Sequence, residues 1–117
     1  MKIYSAQRYS KWDQLPRFVG QDVWVLCNRF NDGGGYNGTD YVRFLRVEQK
    51  WGRDFYVINT ISPWLLENPE YRYRLGGQIL FKETYCQLDE YDIKPPLEVI
   101  TTDEILDILR GNNNEEQ

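Results

Sequence analysis

Hydrophobic and polar positions alternate imperfectly over residues 41–61, YVRFLRVEQKWGRDFYVINTI, the densest run of aromatic, β-branched and cationic residues in the chain. Successive side chains of a strand point to opposite faces. On strict alternation Val42, Phe44 and Arg46 share one face of a first strand, and Tyr41, Arg43, Leu45 and Val47 the other. In a second strand Phe55, Val57, Asn59 and Ile61 oppose Tyr56, Ile58 and Thr60. Each face of the first strand is apolar but broken by an arginine. Strands apolar on both faces are covered on both sides or curl into a small barrel. The joining segment, Glu48 to Asp54, is polar. Gly52 suits a positive-φ position in a hairpin loop. Trp51 is out of place at a loop tip, where small polar residues are usual.

The same pattern extends along the chain. Val23 to Phe30 predicts a core strand, with Val23, Val25 and Cys27 opposite Trp24, Leu26 and Phe30. Lys2 to Ala6 suits a short edge strand. Ser10-x-x-Asp13 marks a helix start that Pro16 limits to about one turn, with Trp12 and Leu15 plugging one end of the sheet. Residues 31–40 hold four glycines and predict a loose hairpin connection. Ser62, Pro63 and Pro69 frame a short helix, with Trp64 and Leu65 placed to close a barrel mouth. Residues 71–75 alternate Tyr71, Tyr73 and Leu75 with Arg72 and Arg74, ahead of a Gly76-Gly77 turn. Gln78 to Leu88 predicts another strand, and Asp89 to Asp92 a solvated turn. Ile93 to Ile100 reads as a Pro-interrupted edge strand or strap. Thr101-x-x-Glu104 is a capping box, and Ile100 with Ile105 a hydrophobic staple. Ile105, Leu106, Ile108 and Leu109 then form an apolar helical stripe, with Gly111 as a C′ residue.

These elements predict a mainly β, α+β fold: a small antiparallel barrel or curled sheet of about five strands, with short helical turns and a C-terminal α-helix. The 117 residues suit one domain, here 1–111, followed by a disordered tail at 112–117.

Composition narrows the chemistry. The chain has no histidine, which removes Ser-His and Cys-His nucleophiles and His-ligated metals. The Gly-rich stretch matches a bare GxGxxG at Gly33, Gly35 and Gly38, but it precedes a strand rather than a helix and no P-loop Lys-Ser/Thr follows. EF-hand spacing is absent. Cys27 and Cys86 have no metal spacing and read as reduced, buried small hydrophobes. The start of the chain lacks the apolar core of a signal peptide, and no apolar run reaches membrane-span length. The expectation is a cytoplasmic protein, with no cofactor, no metal and no membrane.

Charge is unevenly placed. Residues 1–82 carry 12 Lys and Arg against 8 Asp and Glu, whereas residues 83–117 carry 2 against 10. The chain also has nine tyrosines and four tryptophans, and with arginine these types dominate interface hot spots. The expected function is a non-enzymatic binding module for a protein partner, in the class of a small inhibitor or adaptor. The candidate contact residues are Tyr36, Arg43, Arg46, Trp51, Arg53, Tyr71, Arg72, Tyr73 and Arg74. The alternative is a small barrel that binds single-stranded nucleic acid, stacking bases on aromatics along a basic face. The acidity of the whole chain argues against it.

Overall fold

The computed structural model describes residues 2–3, 15–30, 37–68, 80–87, 90–94 and 96–110, with the side chains of 2, 3, 15, 16, 30 and 37 excepted. Seven strands form one antiparallel sheet: β1 (Lys2–Ile3), β2 (Val23–Phe30), β3 (Asn37–Lys50), β4 (Arg53–Ile61), β5 (Thr84–Gln87), β6 (Tyr91–Ile93) and β7 (Glu98–Thr101). A 3-10 turn covers Leu15–Phe18, and two helices follow the long strands, α1 (Pro63–Glu67) and α2 (Thr102–Arg110).

Along the sheet the order is β1-β7-β2-β3-β4-β5. The seventh strand, β6, shares an edge of β2 with β7: β7 pairs at Val23 to Val25 and β6 at Cys27 to Arg29. Among the described residues the outer strands β1 and β5 do not meet, and the sheet is neither closed nor curled. That corrects the expected barrel. The physical reason lies in the covering of its two faces. Val25, Cys27, Val42, Phe44, Tyr56, Ile58, Cys86 and Val99 form one core, joined by Phe18 from the 3-10 turn and by Leu97. Trp24, Leu26, Tyr41, Ile61 and Ile100 form a second on the opposite face, covered by Ile105 of α2, Leu65 and Leu66 of α1, and Leu80. Layering buries both faces without closure.

The central pair of strands is as expected, and longer. The turn between them is only Trp51-Gly52, because Lys50 pairs directly with Arg53, Gln49 with Asp54 and Glu48 with Phe55. The predicted seven-residue loop is therefore mostly ladder. Asn37 to Asp40, expected as loop, likewise belong to β3.

One irregularity changes which side chains face which way. The register shifts between Phe44 and Arg46, leaving Leu45 as an extra residue, a β-bulge. Phe44 pairs with Ile58, and Arg46 with Val57. Arg46 is thereby moved off the face of Val42 and Phe44 and onto the face of Arg43, while Val47 joins the valine and phenylalanine. The broken alternation of YVRFLRV is resolved in this way: both arginines project from one face.

Other expectations shift locally. Tyr91 and Asp92 are in β6 rather than a solvated turn, and Tyr91 is buried with its hydroxyl donating to Asp40 at 3.0 Å. The stretch beginning at Ile93 divides into the end of β6 and all of β7; β7 lies between β1 and β2, not at an edge. Of the predicted 78–88 strand, Thr84–Gln87 is strand and the other described residues, 80–83, are not; 78, 79 and 88 lie outside the described residues. Leu65 packs on the second core and Trp64 is exposed, with no barrel mouth to close. The helix starts hold as predicted. Ser62 Oγ accepts from the Trp64 amide at 3.2 Å. In the capping box of α2, Glu104 accepts from the Thr101 amide at 2.9 Å while the Glu104 amide donates to Thr101 Oγ1 at 3.1 Å. Cys27 and Cys86 are both free and buried in the first core. Burial pushes both thiols up, Cys86 to about 12, which leaves them protonated and inert. The expected helix start at Ser10, the Trp12 plug, the Gly76-Gly77 turn, Gly111 and the 112–117 tail lie outside the described residues, as does the side chain of Leu15. No helix among the described residues is long and apolar enough to cross a membrane.

Ile105 is fully buried and is the main anchor of α2 on the sheet. Ile105→Ala is expected to lower unfolding free energy by about 2–5 kcal/mol, whereas Leu109→Ala, less buried, costs less. Urea denaturation of the two variants checks this; equal small losses would mean that α2 is not packed as described.

Candidate functional site

Among the described residues, α1, α2 and Leu80 cover one face of the sheet over Trp24, Leu26, Tyr41, Ile61 and Ile100. Moving along it towards the hairpin turn, the apolar contacts of Trp24, Tyr41 and Ile61 give way to Arg43 and Asn59, which are cross-strand partners. Beyond them come Arg46, Glu48, Lys50, Phe55, Val57 and, from β5, Tyr85.

At the boundary, Arg43 is held from every side. Its Nε and Nη2 donate to Asn59 Oδ1 at 3.0 and 2.8 Å, and its Nη1 donates to Asp22 Oδ1 at 2.7 Å. The guanidinium lies between the rings of Trp24 and Phe81, at 5.4 and 5.3 Å from their centroids. The chain of bonds continues outwards. Asn59 Nδ2 donates to the Lys82 carbonyl at 2.9 Å, and Thr102 Oγ1 accepts from Trp24 Nε1 at 2.8 Å while donating to Asp22. Asn59 is fully buried, so its polar atoms must be met within the protein. The Arg43 side chain is only 18% exposed and is bonded to both Asn59 and Asp22. A hollow of about 160 Å³ beside it, lined by Gly20, Gln21, Asp22, Arg43, Phe44 and Leu45, is below the roughly 300–1,000 Å³ of ligand pockets.

Arg46 is exposed but neutralised. It bonds Glu48 at 2.6 Å and Glu83 at 2.8 Å, the second being the first residue of the acidic C-terminal part of the chain. The two carboxylates are each held below their usual range, first of all by this guanidinium. Of the basic face expected from the sequence, Arg43 is structural and Arg46 is paired with the protein's own acids. Arg53 is exposed beside the turn. Tyr36, Tyr71, Arg72, Tyr73 and Arg74 lie outside the described residues.

Trp51 stands at the far end. Its φ is 53° and that of Gly52 is 75°, two consecutive left-handed residues, as a two-residue type I′ hairpin turn requires. Glycine and asparagine suit both positions; tryptophan does not, since its Cβ meets the following carbonyl. Trp51 is nevertheless 76% exposed. It packs edge-on against Phe55 at 5.6 Å and Tyr85 at 6.3 Å, and Phe55 meets Tyr85 at 6.3 Å. Tyr85 is 38% exposed and Phe55 9%. Lys50 Nζ lies over both Tyr85 and Trp51. Tyr85 donates its hydroxyl to Glu48 at 3.1 Å.

Phe55 and Tyr85 were not among the contact residues expected from sequence. Phe55 could have been found from a two-residue turn, since that register sets Glu48 opposite Phe55. Tyr85 could not, because its place depends on how a strand from another part of the chain docks on β4. Among the described residues no group of three acids or cysteines is placed to hold a metal. Compared with protein-family models, curated proteins and solved structures, the chain matches none.

Arg43→Met keeps the aliphatic stem and removes the guanidinium. It leaves Asn59 Oδ1 buried without a donor and is expected to cost about 1–3 kcal/mol in a urea titration; a neutral effect would show that the network does not support the fold. The pH dependence follows from Asp22, whose carboxyl is held below the usual range by the Thr102 hydroxyl first and then by Arg43. A group with a depressed folded pKa contributes stability that is complete above its unfolded pKa and is lost as pH falls through the folded value. Asp22→Asn should therefore flatten the loss of stability below about pH 4, measured as unfolding free energy across the acid range. The same slope in both proteins would exclude Asp22 as its source.

Proposed function

We propose that the protein is a non-catalytic binding module whose contact surface for a protein partner is the uncovered end of the β3–β4 hairpin. The observation that carries this reading is Trp51: a large apolar side chain, exposed, at a backbone position that disfavours it. Residues held in sparsely populated conformations persist where something other than stability retains them, and function is one such reason. Tryptophan and tyrosine on a rigid support are also the side chains that dominate interface energetics. A small inhibitor or adaptor would use such a tip to enter a concave partner. A cytoplasmic setting fits two buried thiols that are not paired.

The nucleic-acid alternative finds less support. Stacking rings are present, but two of the arginines that would follow a phosphate backbone are engaged, Arg43 in the interior and Arg46 by Glu48 and Glu83.

Trp51→Asn tests the reading because asparagine suits the turn. The loss of the ring contacts, about 0.5–1.5 kcal/mol per aromatic pair, is offset by relief of roughly 1–2 kcal/mol of left-handed strain. The thermal midpoint should stay nearly unchanged, while a partner held by the wild type and by Trp64→Ala should be lost. The comparison is by affinity capture and mass spectrometry after nuclease treatment. Capture that persists in Trp51→Asn, or that nuclease alone removes, overturns it.

A further inference from the structure

The three rings at the hairpin end do not stack. Their planes cross at 88° for Trp51 and Phe55, 70° for Trp51 and Tyr85 and 82° for Phe55 and Tyr85. Three nearly perpendicular rings with centroids 5.6–6.3 Å apart make the walls of a box rather than a slab. Phe55, the least exposed, is its inner wall; Trp51 and Tyr85 stand further out. Glu48 fixes the Tyr85 wall through the phenol hydroxyl. A cation already lies over two of its walls: Lys50 places its ammonium 4.5 Å from the centroid of Tyr85 and 5.2 Å from that of Trp51. Aromatic faces carry negative potential and attract cations, and boxes of such rings select ammonium groups that shed water easily. Lys50 is a poor ligand in this respect. A primary ammonium is strongly hydrated, and the flexible stem that carries it can swing away.

We propose that this box is a recognition site for a cationic side chain presented by a protein partner, an alkylated lysine ammonium above all, and that Lys50 is an internal stand-in which the partner displaces. The inference rests on the reading of the hairpin end as the contact surface and names the chemistry that it recognises. A cationic ligand is supported by Lys50, whose ammonium already lies over two of the ring faces, and by Glu48, which is bonded to the Tyr85 wall.

The test uses the full chain and two probes, tetramethylammonium chloride and a short uncharged peptide carrying one trimethyllysine, each against sodium chloride at equal ionic strength. The indole N–H resonance of Trp51, assigned with Trp51→Phe, is followed by NMR. Saturable movement of that resonance is expected with both probes, and little with the same peptide carrying unmodified lysine. Lys50→Ala, and independently Lys50→Gln, should tighten binding several-fold by emptying the box; Tyr85→Ala, which keeps the reporter indole, should abolish it. A resonance that moves no more than in sodium chloride overturns the inference, as does unchanged or weaker binding in both Lys50 variants. Should the titration be flat while Trp51-dependent partner capture persists, the box fails and the contact surface stands. Loss of both removes both.

Discussion

Asn59 is the point on which the two halves of the sheet depend. It is a polar side chain with no access to water, in the middle of β4. An unmet buried amide costs about 1–3 kcal/mol, so its place in the fold requires Arg43 opposite it and the Lys82 carbonyl beyond it. Arg43 is charged and cannot go unmet either, and Asp22, Trp24 and Phe81 enclose it. Each requirement recruits a residue far away in sequence. The network thereby ties β2, β3, β4, the segment before β5 and the first turn of α2 to one another. A half-satisfied version would be worse than an apolar one, which makes it a device for specifying this packing and no other.

The bulge at Leu45 has the companion role. Without it, Arg46 would point into the core of Val42 and Phe44. With it, both arginines leave that core, and β3 continues past the helices as a ladder whose outer face is polar and aromatic. Bulges bend and twist a strand and discourage edge pairing. Arg46, Glu48 and Lys50 along the same stretch act to the same end. The far end of the hairpin is thus well ordered by its own pairing yet projects beyond the helices that cover the rest of this face, an arrangement suited to presenting side chains to another molecule.

The uneven charge of the chain is partly cancelled in the fold. Glu83, from the acidic part, meets Arg46 from the basic part. A single exposed ion pair of this kind contributes little to stability. Its effect is on the surface, where it neutralises Arg46 beside the aromatic rings.

The elements with local causes were legible from the amino-acid order. The capping box at Thr101 and Glu104, the Ser62-Pro63 helix start, the core strand at Val23 to Phe30 and the pairing of β3 with β4 follow from contacts within a few residues, or from period-two alternation. So did the exposure of Trp51, flagged by its misfit at a turn. The tertiary structure decided whatever depended on register. The extra residue at Leu45 reassigned the arginines, because one step along a strand reverses every side chain after it. Docking of β5 on β4 brought Tyr85 to Trp51 and Phe55, a contact between segments more than twenty residues apart. Layering of α1 and α2 over one core kept the sheet open, because helices bury an apolar face as well as closure does. Local sequence determines what a segment can be; which segments meet is settled by the burial of all of them at once.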